Sequence, residues 1–75
     1  MDITRGTADL VARAIEQAGQ TNLAVAEKCG IPRTTLLRRL SGASPFTVSE
    51  LERIADLLDM QVHSLIPTTD TEAVA

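Results

Sequence analysis

Residues 21–42 have the sequence TNLAVAEKCGIPRTTLLRRLSG, which predicts two short helices joined by a tight turn. Thr21 is a residue type favoured at a helix N-cap, and Gly30 can adopt the positive φ that ends a helix. The second of these helices is predicted from about Pro32 to Leu40, because proline is favoured at the first helical position. The first is predicted to end at Cys29, with Val25 and Ala26 on its inner face.

The second helix of this pair has two chemically different sides. At about 100° per residue, Leu36 and Leu40 lie on one side and Arg38 lies nearly opposite. The outer arc is completed by Arg33, Thr34 and, at its edge, Leu37. Arginine can donate two hydrogen bonds to guanine, and threonine can contact several base edges in the major groove. The alternative is that these residues form an ordinary solvated surface.

The net charge of −3 hides an uneven distribution along the chain. Residues 28–46 contain Lys28, Arg33, Arg38 and Arg39 and no acidic residue, whereas acidic residues dominate on both sides of this block. A polyanion responds to charges within a Debye length of roughly 8–10 Å rather than to the molecular total. The basic block is therefore compatible with binding a nucleic acid.

Two further helices are predicted around the central pair. One runs from Thr4 or Thr7 to Ala18 and ends at Gly19. Its apolar stripe comprises Leu10, Val11, Ala14, Ile15 and Ala18. The other begins at Thr47, which forms a T-x-x-E capping box with Glu50 and follows Phe46, an aromatic residue placed to pack on Leu51. Its predicted core stripe comprises Val48, Leu51, Ile54, Ala55 and Leu58.

These elements predict an all-α fold, a compact bundle of four to five helices containing a helix-turn-helix. A short fifth helix is expected over Val62 to Ile66, stopped by Pro67. Residues 1–66 would form one domain, and residues 67–75 a disordered tail. With 75 residues, the chain is long enough for one core, and it shows no period-two alternation typical of strands.

Composition argues against several other classes of protein. No apolar stretch approaches the roughly 20 residues of a membrane span, and the beginning of the chain lacks the apolar run of a signal peptide. Cys29 has no second cysteine to pair with, as is usual in the cytoplasm of a bacterium or of a phage-infected host. We therefore expect a cytoplasmic protein.

No set of residues suggests catalysis. The sequence has no glycine-rich phosphate loop, no metal-ligand spacing and no Ser/His/Asp constellation. His63 stands alone, and Cys29 is better interpreted as a small core residue than as a nucleophile. We expect neither an enzyme nor a catalytic residue, metal, cofactor or small-molecule ligand.

Residues 21–42 resemble the helix-turn-helix of the lambda-repressor-like (Cro/C1, or XRE) family, and residues 47–66, TVSELERIADLLDMQVHSLI, resemble its fourth and fifth helices. The resemblance covers roughly residues 7–66. It implies a five-helix domain that binds double-stranded DNA, often as a dimer on a palindromic site. It also implies base contacts from Asn22, Arg33, Thr34, Leu37 and Arg38, and phosphate contacts from Thr21, Arg39, Ser41 and Thr47.

Two positions depart from the family pattern. Arg39 stands where the family often has an apolar residue, and Leu40 is expected to take over that packing. Leu23 is more apolar than is usual on the outer surface of the second helix. It is expected either to pack on the first helix or to mark a surface for a partner.

The resemblance favours a sequence-specific transcriptional regulator, similar to a phage Cro protein, an immunity repressor or a small prophage regulator. The alternative is a protein-interaction module on the same fold, as in antitoxins and in adaptors that have lost DNA binding. A homodimer is also possible through the apolar residues of the fifth helix and its flanks, Met60, Val62, Leu65 and Ile66.

Overall fold

The computed structural model describes residues 3–67. Within this range it contains four α-helices and one 3₁₀ helix: α1 (Ile3–Gln17), α2 (Asn22–Cys29), α3 (Arg33–Leu40), α4 (Val48–Leu57) and the 3₁₀ helix (Val62–Leu65). The predicted all-α fold with its helix-turn-helix is confirmed. The disordered tail was predicted over residues 67–75, of which 68–75 lie outside the described range.

The turn between α2 and α3 follows local backbone rules. Thr21 caps α2 by accepting a hydrogen bond from the Ala24 N–H at 3.1 Å. Gly30 ends the helix in the left-handed region at φ 69°, where a Cβ would be disfavoured. The second helix was expected to begin at or next to Pro32, and the extended ψ of 139° at Pro32 makes it the N-cap, so α3 begins at Arg33.

Helix α1 begins at Ile3, one residue before Thr4, which was the earlier of its two predicted starts. It ends at Gln17, one residue before the predicted end at Ala18. Its buried face is formed by Thr7, Ala8, Val11 and Ile15. Ala18 was predicted to join this stripe but is exposed, because the helix has already ended and the chain turns at Gly19 with φ 71°. Burial at positions separated by three or four residues is typical of a helix with one face on a core.

The start of α4 has the predicted capping box. The Thr47 hydroxyl accepts from the Glu50 N–H at 3.1 Å, and the Glu50 carboxylate accepts from the Thr47 N–H at 2.9 Å. Phe46 is half-buried and packs against the core, as expected of a hydrophobic staple. The placement of Val48 in the core was wrong, since this side chain is 67% exposed. It lies about 70° from the centre of the other four stripe residues, at the edge of the buried face.

The core is formed by all five helical elements. Among them, α3 packs against α1 and α2, α4 packs against α2 and the 3₁₀ helix, and the 3₁₀ helix also packs against α1. The fully buried side chains include Val11, Val25, Leu36, Ile54 and Leu65. The expected fifth helix over Val62 to Ile66 is therefore a single 3₁₀ turn, held by burial of Leu65 rather than by helix length.

Candidate nucleic-acid interface

The outward side of α3 is an exposed face that we call the basic arc: Arg33, Thr34, Leu37 and Arg38. These residues span about 140° of the helix circumference at 100° per residue. Leu37 is 40% exposed, as expected of a residue at the edge, whereas Leu36 behind it is completely buried. The burial of Leu36 fixes which side of the short helix faces outward. Asn22, the first residue of α2, is also exposed.

The guanidinium groups of the basic arc have no carboxylate partner within residues 3–67. No salt bridge or side-chain hydrogen bond engages the side chain of Arg33 or Arg38 over that range. The acidic residues gather elsewhere, and Glu52, Asp56 and Asp59 line a groove of about 390 Å³ at the end of α4. The charge segregation inferred from the sequence is therefore present in the fold, and the two arginines can form new charge-assisted hydrogen bonds.

Arg39 is placed differently from the other two arginines of α3. Its Nε donates to Glu50 Oε1 at 2.9 Å and its Nη2 donates to Glu50 Oε2 at 3.1 Å. Oε1 also accepts the Thr47 N–H at 2.9 Å. Glu50 thus serves the capping box and the ion pair at once. The sequence predicted only the first of these roles, and the arginine at a usually apolar position was the available signal for the second.

These contacts change the protonation behaviour of the pair. Burial alone would raise the pKa of Glu50, but the hydrogen bonds from Arg39 and Thr47 and the positive charge of Arg39 together lower it below the ordinary value. The hydrogen bond to Glu50 raises the pKa of Arg39, against the effect of burial. Both shifts favour the charged forms, so the pair is ionised at neutral pH.

We expect the stabilising effect of Glu50 to be lost in acid. A carboxyl whose pKa is lowered by folding contributes stability above its unfolded pKa, ordinarily 4.5 for this group, and loses it as pH falls through the folded pKa. The difference in free energy of unfolding between the unaltered chain and Glu50→Gln should therefore be largest above that pH and shrink below it. Urea unfolding at a series of pH values measures this difference. Glu52→Gln, on the exposed side of α4, controls for the change in charge.

The hydroxyl groups predicted to contact phosphate fall into two kinds. Those of Thr21 and Thr47 accept backbone N–H groups at the starts of α2 and α4, which leaves each hydroxyl hydrogen to be donated outward. The Ser41 hydroxyl instead donates to the Arg38 carbonyl at 2.8 Å. Ser41 would have to give up that bond before donating to a phosphate. All three residues are exposed.

Three other residues singled out from the sequence, Cys29, Leu40 and Leu23, differ in their burial. Cys29 is buried, and burial raises the pKa of its thiol while the nearby Arg53 lowers it. Leu40 packs against the core, as expected. Leu23 is 47% exposed, so packing on α1 covers it at most in part. No group of three His, Cys, Asp or Glu side chains among the described residues could hold a metal ion.

No helix within residues 3–67 combines the length and the apolar character needed to cross a bilayer.

Comparisons with known proteins agree with this architecture. A family model described as Helix-turn-helix matches residues 11–64, and no curated protein matches the chain. A hypothetical transcription factor, NHTF from Neisseria, superposes with a TM-score of 0.81 at 20% identity, over 88% of this chain and 76% of that one.

A second group of similar structures belongs to an enzyme. Hydroxypropylphosphonic acid epoxidase from S. wedmorenis, in complex with fosfomycin, superposes with a TM-score of 0.80 at 25% identity. The match covers 93% of this chain and 38% of the epoxidase chain. The structure of apo-HppE superposes with a TM-score of 0.80 at 26% identity, over 92% of this chain and 39% of that one. The present chain thus spans about two fifths of the length of these epoxidase chains.

Proposed function

Because the chain belongs to the Cro/C1-type (XRE) helix-turn-helix family of DNA-binding domains, we propose that it is a sequence-specific transcriptional regulator that inserts α3 into the major groove of an operator. Arg33 and Arg38 would bond guanine edges, Thr34 would bond a base, and Leu37 would contact a thymine methyl. Asn22, at the start of α2, would contact a base or a neighbouring phosphate. The proposed role is that of a phage or prophage repressor or Cro-type protein, which occupies a promoter and excludes polymerase.

The observation that carries this proposal is the basic arc itself. Arg33 and Arg38 are exposed on α3 without carboxylate partners in the described structure, and Arg38 lies nearly opposite the completely buried Leu36. The arc is also free of acidic residues, so a phosphate backbone would meet little local repulsion.

The ends of two other helices would hold the DNA backbone. The exposed hydroxyls of Thr21 and Thr47 lie at helix N-termini, where the helix dipole favours an anion. Such contacts carry no base information, but they fix the register of α3 in the groove. Ser41, in the loop after α3, would donate its hydroxyl hydrogen to a phosphate in place of the Arg38 carbonyl.

Selection of bound sequences from a random pool of duplex DNA tests the proposal. We expect one sequence to be enriched, and its affinity to fall with salt at a log–log slope of about −0.9 for each phosphate neutralised. The modest number of basic residues predicts weak binding to unrelated DNA. A chain that enriches no sequence, and whose residual binding shows no salt dependence, would contradict the proposal. A stoichiometric protein partner together with that result would support the antitoxin-like or adaptor alternative.

A homodimer on a symmetric operator is the second part of the proposal. Of the four apolar residues considered for pairing, Leu65 is completely buried, Met60 and Val62 are half-buried in the core, and Ile66 remains 36% exposed. Pairing would therefore depend on Ile66 and its surroundings rather than on a free helical stripe. Sedimentation at micromolar concentration, with and without the selected DNA, measures the oligomeric state. A strict monomer in both conditions would contradict pairing.

A further inference from the structure

The geometry points to Arg39 as a positioning residue for DNA recognition. We infer that its ion pair with Glu50 fixes α3 relative to the start of α4, so that the basic arc and Thr47 engage the same stretch of duplex, and that Arg39 itself does not contact DNA. This inference rests on the proposed function. It replaces the phosphate contact that the family resemblance implied for this residue.

The position of Arg39 on α3 is the first argument. At 100° per residue, it lies about 170° from the centre of the basic arc. Its side chain is 20% exposed and is held by two hydrogen bonds to one carboxylate. On the back of α3, the guanidinium is directed to Glu50 on α4 and away from the groove that the front of the helix would occupy.

The second argument concerns which helices the pair joins. In the described fold, α3 packs closely on α1 and α2, whereas α4 packs on α2 and the 3₁₀ helix. The Arg39–Glu50 pair bridges α3 and α4, which are not among the closely packed pairs. The planar guanidinium bonds the carboxylate in two places and so fixes direction as well as distance. Both helices pack on α2, and the Arg39–Glu50 pair adds a direct, directional link between α3 and the start of α4.

The third argument is electrostatic. Glu50 lies in the first turn of α4, beside the Thr47 hydroxyl proposed to meet a phosphate. A carboxylate alone at this place would repel that phosphate, and Arg39 neutralises it. If Arg39 turned away to bind a phosphate itself, Glu50 would lose its counter-charge next to the DNA backbone. The structure thus favours an indirect role through Glu50.

The test is a double-mutant cycle with Arg39→Gln, Glu50→Gln and the combined variant. Glutamine at position 50 keeps an oxygen that can accept the Thr47 N–H, so the cap is retained. Dissociation constants for the selected duplex are measured over a range of salt, at temperatures where thermal unfolding shows every variant folded. Glu52→Gln on the same helix controls for the change in net charge.

A positioning role predicts non-additive effects. Each single substitution should weaken binding by about 3- to 30-fold, the combined variant should be no weaker than either, and the salt slope should be unchanged. A direct phosphate contact predicts instead that Arg39→Gln reduces the slope by about 0.9 in both backgrounds, and that Glu50→Gln strengthens binding by freeing Arg39. That result, or a lower melting temperature with unaltered affinity, overturns the inference alone. Failure of the unaltered chain to select any sequence overturns the proposed function and this inference with it.

Discussion

Leu36→Ala is expected to destabilise the domain by about 2–5 kcal/mol. Leu36 is completely buried and is the residue by which α3 is seated on α1 and α2. Its truncation removes apolar contacts and leaves a cavity that the surrounding short helices can close only in part. A domain of this length is stabilised by roughly 4–11 kcal/mol in total, so this substitution should remove a large part of the free energy of unfolding. Urea unfolding of the two chains measures the loss.

The neighbouring Leu37→Ala is the matched control, because it removes the same atoms from a side chain that is 40% exposed. We expect it to cost less than about 1 kcal/mol of stability. If Leu36→Ala proves no more costly than Leu37→Ala, the orientation of α3 described above is wrong. For DNA affinity we expect the opposite ranking, because Leu37 is exposed on the basic arc and Leu36 is buried. Leu37→Ala should weaken binding more than Leu36→Ala when both variants are measured under conditions where they are folded.

Local sequence rules were sufficient for the elements that position α3. The capping box of Thr47 and Glu50 and the left-handed turn at Gly30 each depend on residues within three or four positions of one another. Such short-range patterns have nearly the same physical cause in every protein, namely unpaired backbone N–H groups at one helix end and a Cβ-free residue at the other. The helix-turn-helix followed from them, and the exposed side of α3 followed from the helical periodicity of its leucines.

Features that depend on distant residues could not be predicted in the same way. Arg39 and Glu50 are eleven positions apart on different helices, and their pairing depends on how α3 and α4 are arranged. Val48 lies at the angular edge of its stripe, where tertiary packing determines whether a side chain is buried or exposed. In this fold it is 67% exposed. Helical periodicity predicts which side of the helix a side chain faces, but it does not predict how far the neighbouring elements extend over that side.

Net charge is a poor guide to the partner of this domain. A total of −3 includes the carboxylates of α4 that line their own groove, and these are on a different element from the basic arc. Screening at physiological salt limits each charge to a range of about 8 Å, so DNA at α3 would respond mainly to the local arginines. The acidic remainder should lower affinity for unrelated DNA, which raises the share of binding energy that depends on base contacts.

Arg38→Ala is expected to weaken binding to the selected duplex by about 1–3 kcal/mol, or roughly 5- to 150-fold, and to relax the base preference at one position of the site. The physical reason is that this exposed guanidinium has no carboxylate partner in the described structure and lies opposite the leucines that seat α3, where it can donate two bonds to a guanine. Competition binding against single-base variants of the site measures both effects. Arg13→Ala removes the same charge from an exposed position on α1 and should change affinity far less, without altering base preference. Equal losses for the two variants would reduce the role of Arg38 to general electrostatics, and intact binding after both Arg33→Ala and Arg38→Ala would remove α3 from the interface.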